Sequence, residues 1–250
     1  MRTALQRRGV AVVVVPGEVF LDPAPDGYKP VPVRIAPSVV RPDDGSLAAA
    51  AKVLNDSSRV TILAGAGCAG AHDQLIALAS ALKAPVLHAF RGKEWVEYDN
   101  PYDVGMTGLI GFSSGYRAME HCDALVMLGT DFPYRDFLPE GVPVIQVDVR
   151  GEQIGRRVAV EYPLVGTVKD TVDALLPMLA AKTDSSHLDT MTAHYRRARA
   201  SWTNSRPTSG TTRRCTRSTS PPPSTSSPPR TRSSPATLAA RASGPPATCA

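Results

Sequence analysis

The last fifty residues of this 250-residue chain contain no acidic residue, no lysine, and no Val, Ile, Met, Phe or Tyr. In their place stand 11 Ser, 10 Thr, 9 Pro and 7 Arg. Such a segment has almost no apolar surface to bury and cannot offset its own conformational entropy. Residues 201–250 are therefore expected to form a disordered C-terminal tail. The same absence locates the charge. Residues 1–200 hold 21 Lys+Arg against 23 Asp+Glu, so the net charge of +5 and the pI of about 9.2 belong to the tail. A basic tail without lysine and without interleaved aromatics makes a poor nucleic-acid surface, and no nucleic-acid partner is expected.

Other absences exclude further classes. The longest apolar run, Val10 to Pro16, is far too short to span a membrane, and no membrane segment is expected. The residues after Met1 lead into Pro16-Gly17-Glu18 with no small-residue cleavage site, which argues against a signal peptide. The four cysteines, Cys68, Cys122, Cys215 and Cys249, form no CxxC pair and have no histidine at zinc spacing. No metal site is expected, and a reduced cytoplasmic setting is the default. His88, His121 and His187 have no Ser, Cys or acid arranged as a triad, so no catalytic residue is assigned. Cys68 reads as a small packed residue rather than a reactive thiol.

What is present is an alternation. Arg2 to Arg8 reads as a helical end, and Val10 to Val15 as a buried strand. Residues 16–45, rich in proline, are linker chemistry. From there the pattern predicts helices over Leu47 to Leu54 (capped by Ser46), Ala71 to Leu82, Ser114 to His121 and Val168 to Ala181. Strands are predicted at Val60 to Ala64, Pro85 to Ala89, Ala124 to Leu128, Val144 to Val149 and, shorter, Leu164 to Val165. Arg196, Arg197 and Arg199 are read as ending one further helix. Near-continuous apolar strands alternating with helices imply an α/β fold, a doubly wound, Rossmann-like parallel sheet covered on both faces.

In such sheets ligands bind beyond the carboxyl ends of the strands. Three ends carry chemistry. Gly65-Ala66-Gly67-Cys68-Ala69-Gly70 is a G-x-G-x-x-G between strand and helix, open to two readings: a phosphate cradle, or glycines needed for a tight turn and close packing. The strand after it ends in Arg91 and Lys93 rather than an acid, which disfavours ordinary NAD binding. The second end is the glycine-dense loop Gly105 to Phe112. The third combines Gly129 to Arg135 with Asp148 at the end of the next strand; there an acid could accept a ribose hydroxyl and Arg135 could meet phosphate, while Asp148 alone reads equally as a solvated loop carboxylate.

Together these segments resemble the thiamine-diphosphate-dependent pyruvate oxidase family, most of all the pyruvate:quinone oxidoreductases, also called pyruvate dehydrogenase (quinone). The resemblance rests on Arg91-Gly92-Lys93-Glu94, on the string Glu97 to Gly111, on Gly129 to Arg135, and on Ile145-Gln146-Val147-Asp148, and it covers about residues 2–200. It implies that residues 1–20 are a remnant of the pyrimidine-binding domain and 21–45 a linker. Residues 46–182 would be the central, FAD-binding-type domain, and 183–200 a connecting helix. Carried over by position, Thr107, Gly108, Leu109 and Ile110, then Thr130, Asp131, Phe132, Pro133 and Tyr134, and finally Asp148, are the expected FAD contacts. The implied reaction is oxidative decarboxylation of pyruvate to acetate and CO2, with electrons passing through FAD to a quinone. The parent enzyme would be a homotetramer, peripheral at the inner face of the membrane. The resemblance places the activating glutamate and the motif holding Mg²⁺ and the thiamine diphosphate in family segments that these 250 residues do not match. The chain alone is therefore expected to be inactive.

A related enzyme of acetolactate-synthase or oxalyl-CoA-decarboxylase type is the enzymatic alternative. A non-catalytic nucleotide-binding module with a basic disordered tail is the alternative from another class. The tail itself supports one more expectation. Read from each codon's third base, Trp202 (TGG) and Thr203 (AC-) give the hidden codon GAC, aspartate. At the same offset Ser201 to Arg206, Arg214 to Ser220 and Arg232 to Ala239 permit phrases resembling the family's continuation. The tail is expected to be frame-shifted sequence, with a genuine Ser/Pro-rich segment as the alternative.

Overall fold

A computed structural model describes residues 2–7, 9–29, 32, 34 and 38–204, and the expectations for residues 205–250 lie outside the described residues. The elements in order are α1 (Arg2–Arg7), α2 (Asp44–Asp56), β1 (Val60–Ala64), α3 (His72–Leu82), β2 (Val86–His88), α4 (Lys93–Val96), β3 (Asp103–Met106), α5 (Ser113–Glu120), β4 (Ala124–Leu128), β5 (Val144–Asp148), β6 (Tyr162–Val165), α6 (Val168–Leu175) and α7 (Ser186–Asn204). The six strands form one sheet in the order β3-β2-β1-β4-β5-β6, every pair parallel. This is the doubly wound fold expected from the alternation, and its order reverses between β1 and β4.

Strand residues divide between the two faces with the period of two that the pleat imposes. Ile62, Ala64, Val126, Leu128, Ile145 and Val147 enter the core under α2, α3 and α6. Leu63, Leu87, Leu125, Met127 and Val144 enter the other, under α5 and α7. Because both faces are covered, β1, β4 and β5 are buried along their whole length, which is why they read as continuous apolar runs.

Several boundaries differ from expectation for local reasons. The cap of α2 is Asp43, whose carboxylate accepts from the Ser46 amide at 3.0 Å, so the helix opens three residues before Leu47. The helix α6 stops at Leu175 and gives way to a 3-10 turn over Leu176–Met178, because Pro177 has no amide hydrogen to continue it. Asp103–Met106 is a strand where a loop was expected: Asp103 and Gly105 are poor strand formers, and the strand is held by pairing of Asp103 and Met106 to β2 and by packing under α5 and α7. The helix α7 runs on to Asn204, so Arg196, Arg197 and Arg199 lie before its last turn; its inner face packs on α5 and β3.

The run Val10 to Val15, expected as a buried strand, is not a strand. Val10 is 93% exposed and the segment joins no sheet. A strand is stable only where a neighbour takes its N–H and C=O groups, and none of the six strands pairs with this one.

Candidate cofactor site

The reversal of strand order opens a crevice at the carboxyl ends of β1 and β4, the usual ligand position in such sheets. Here the two strand-end loops are locked to each other. The Gly65 amide donates to the Leu128 carbonyl and the Gly67 amide to the Gly129 carbonyl, both at 2.9 Å. A Cβ on Gly65 would lie 2.5 Å from the Gly129 oxygen, and one on Gly67 2.6 Å from the Gly129 Cα. Of the two readings of this glycine motif the geometry favours close packing, since the amides of Gly65 and Gly67 are already engaged. Cys68 is fully buried beside them, and burial pushes its thiol up to about 12, which removes any nucleophilic role.

The expected contact residues gather on the same side of the sheet. Thr107 follows β3 with its amide still donating to His88 at 3.0 Å, and its side chain is 4% exposed. Its hydroxyl oxygen is buried without a hydrogen-bond partner. Gly108 has φ +108, and a Cβ there would meet the Tyr134 ring at 3.2 Å, so the loop after β3 reaches across the ends of β2 and β1 to the loop after β4. Leu109 and Ile110, at 72% and 74% exposed, stand out from this bridge as an apolar tip. Thr130 is buried, while Pro133 and Asp131 are exposed. Phe132 is spent in the core, edge-on to Tyr134 at 5.4 Å, so its ring is not free for a ligand. Asp148 is buried at the end of β5, accepting from the Arg150 amide at 2.9 Å.

The structure adds residues that the sequence reading did not single out. The loop after β5 brings Arg157 to 3.5 Å from Asp131 and the Arg156 carbonyl under the Arg135 guanidinium at 3.0 Å. The Arg157 Nε is buried without a hydrogen-bond partner. Three arginines in ten residues after a strand end, Arg150, Arg156 and Arg157, were the available signal. With Arg135 they give the β4–β5 side of the crevice a cationic rim suited to phosphate.

This crevice fits a dinucleotide in kind. An orphaned hydroxyl at Thr107, a glycine at 108 that leaves room beside Tyr134, arginines at the rim and a carboxylate at the end of β5 are the groups that hold ribose and phosphate oxygens. Among the described residues no group of three His, Cys, Asp or Glu could hold a metal ion, and no helix is long and apolar enough to cross a membrane.

Fold and strand-end loops thus define a doubly wound parallel α/β domain, and the family comparison is specific about which. Residues 47–175 match the family described as thiamine pyrophosphate enzyme, central domain, and the chain belongs to that family. It is 52% identical over 248 residues to the "Uncharacterized 42.6 kDa protein in isoamylase 3'region" of Pseudomonas amyloderamosa, covering 98% of this chain and 62% of that one. It is 34% identical over 198 residues to the "Putative thiamine pyrophosphate-containing protein YdaP" of Bacillus subtilis, 78% of this chain and 34% of the relative. The "Probable acetolactate synthase large subunit" of Methanocaldococcus jannaschii is 35% identical over 140 residues, 53% of this chain and 24% of the relative. The chain spans less than two thirds of the length of each of these relatives. The first alignment also extends into the last fifty residues.

Proposed function

We propose that the crevice at the carboxyl ends of β3, β4 and β5 holds FAD, and that the chain is the central domain of a thiamine-diphosphate enzyme of the pyruvate:quinone oxidoreductase type. The observation that carries the FAD reading is the Thr107 hydroxyl, buried without a partner in the loop just after β3. An unmade hydrogen bond of this kind costs about 1–3 kcal/mol, a cost that an acceptor on a ligand removes. Thr107 and Thr130 would hold the ligand from the loops after β3 and β4. Asp148 would accept a ribose hydroxyl, and Arg135 with the arginines of the 150–157 loop would face the diphosphate. Leu109 and Ile110 supply an apolar cover that excludes water from whatever lies beneath. Bound FAD would supply a two-electron acceptor.

The choice of pyruvate and a quinone rests on the string Glu97 to Gly111 and its likeness to the quinone-reducing members. A second reading, an acetolactate-synthase type, is favoured by the relatives that carry that name. A polypeptide carrying this domain with its flanking segments separates the two by pyruvate-dependent reduction of a quinone analogue against formation of acetolactate. For the chain itself the test is titration with FAD, followed by quenching of flavin fluorescence. Stoichiometric binding is expected; no quenching by a chain whose circular dichroism reports an intact α/β fold would overturn the FAD reading. The chain alone is expected to release no CO2 from pyruvate when given thiamine diphosphate and Mg²⁺.

A further inference from the structure

At the free edge of β3, away from the strand-end crevice, the stripe Thr192, Tyr195, Arg196 and Arg199 of α7 faces the segment that carries Glu97 and Asp103. A cavity of about 360 Å³ lies between them. Those four positions share one face of a helix by their three- and four-residue spacing. Tyr195 is seated against Gly105, whose φ of +92 and missing Cβ make room for a ring that would otherwise stand 2.5 Å from that Cβ.

The groups in this cavity stand on two walls, some paired and some not. On the helix side the Thr192 hydroxyl is buried without a hydrogen-bond partner. Arg196 beside it has no ion-pair partner among the described residues. On the opposite side Asp103 is 9% exposed, held by the Gly105 amide at 3.1 Å and by the Tyr195 hydroxyl. Glu97 stands with it, contacted by Lys93, by His88 at 3.6 Å and by Arg199 at 3.7 Å. Two donors without acceptors therefore face Asp103, a carboxylate with no Lys or Arg ion pair among the described residues, beside Glu97, which Lys93 and Arg199 already contact. A simple anion would meet Asp103 and Glu97, and a simple cation would meet Arg196 and Arg199. Only a ligand carrying both charges matches both walls.

We propose that this cavity binds a small zwitterion of the α-amino-acid class, with its carboxylate against Arg196 and the Thr192 hydroxyl and its ammonium toward Asp103 and Glu97. The volume is at the small end of ligand pockets and suits a molecule of that size. The site is separate from the FAD reading and does not depend on it. Burial pushes the Asp103 carboxyl up to about 6 without a ligand, so its charge is incomplete below that pH. The groups facing it are His88 from β2, Lys93 and Glu97 from α4 and its C-terminal end, and Tyr195 and Arg199 from α7. Affinity for an ammonium therefore rises as pH climbs through about 6.

The test uses the full chain and three probes of matched size: L-alanine, propionate, which lacks the ammonium, and ethylammonium, which lacks the carboxylate. Amide shifts in ¹⁵N-labelled protein are followed through millimolar titrations at pH 5 and pH 7. L-alanine is expected to move the amides of residues 192–199 and 97–103, with at least about tenfold tighter binding than either half-ligand, since a charge-assisted hydrogen bond contributes about one such factor or more. Arg196→Gln, on an exposed helix face, is expected to weaken alanine by about tenfold, and Asp103→Asn to abolish the gain between pH 5 and pH 7. Equal responses to alanine and propionate would mean an anion site only and would overturn the proposal. So would the absence of any shift in these segments, or wild-type alanine affinity in the Arg196 variant.

Discussion

Gly67 and Gly129 touch backbone to backbone where the strand order reverses: the Gly67 amide donates to the Gly129 carbonyl at 2.9 Å, and a Cβ on either glycine would fall within 2.6 Å of the other's Cα. Gly129 also has φ +54, so any other residue there is strained as well as crowded. Neither obstacle is the end of a flexible side chain, and backbone must move to admit a methyl group. Gly67→Ala is expected to cost about 1–3 kcal/mol, the range of overpacked sites, read as a lower urea midpoint with an unchanged slope. A wild-type midpoint would mean that the two loops are free to separate.

That contact also marks what could be read from the residues in advance. β1, β4 and β5 were legible because burial on both faces leaves a continuous apolar signature. The strand β3 was not, because Asp103 and Gly105 suit a loop and only tertiary contacts, with β2, α5 and α7, decide otherwise. The Gly65 to Gly70 motif could be located from the sequence but not interpreted. Whether its amides face a phosphate or the next strand depends on Gly129, more than sixty residues away. Thr107 and Thr130 came from the family resemblance and Asp148 also from its place at a strand end; the structure sets the three at or just past the ends of β3, β4 and β5. The rim arginines Arg156 and Arg157 were missed because they stand well past the end of β5 and belong to no motif. Val10 to Val15 shows the reverse error. Its β-branched character announces a strand, but a strand exists only where a partner does.

Thr107 allows a prediction whose two halves have opposite signs. Thr107→Val keeps the branched shape and removes the unpartnered buried hydroxyl. Without ligand the variant is expected to be as stable as wild type or more so by up to about 1 kcal/mol, because a desolvated hydroxyl is no longer buried unpaired. FAD binding is expected to weaken by about tenfold, the loss of one hydrogen bond. Thermal melting with and without FAD measures both. A variant that loses stability and keeps its FAD affinity would show that the hydroxyl is structural.

The histidines and Asp103 set a pH profile. Burial pushes His88 and His187 down to about 4, so between about 4 and the ordinary histidine pKa the unfolded chain binds more protons than the folded one. In that window each makes stability rise with pH. Asp103 is pushed up to about 6 by the same cause, so in the window from its ordinary value to about 6 the folded chain binds the extra proton and stability falls as pH rises. His194, also held below its ordinary value by burial, adds in the same direction, and these rising contributions against one falling contribution leave a net gain from pH 4 to 6. Asp103→Asn is expected to steepen that gain, and His187→Gln, which can still hydrogen-bond Thr61, to flatten it. Urea midpoints at half-unit pH steps would reveal either slope; a profile that Asp103→Asn leaves unchanged would place that carboxyl in water.

The run from Val10 to Val15 carries the last prediction. Val12 and Val14, 84% and 87% exposed, lie in six consecutive apolar residues without a charge, a proline or a paired backbone. Such segments add to one another as strands, since each supplies the N–H and C=O groups the other lacks. The chain is expected to self-associate in a concentration-dependent way through this segment. The paired substitution Val12→Lys with Val14→Lys puts like charges on adjacent positions of the same face, and the repulsion opposes strand addition. Both side chains are solvent-exposed and outside the two cores, so the urea midpoint should stay within about 0.5 kcal/mol of wild type. Sedimentation velocity across a concentration series is the measurement. The double variant should remain monomeric at concentrations where the wild type does not, and equal association by both would move the interface elsewhere on the molecule.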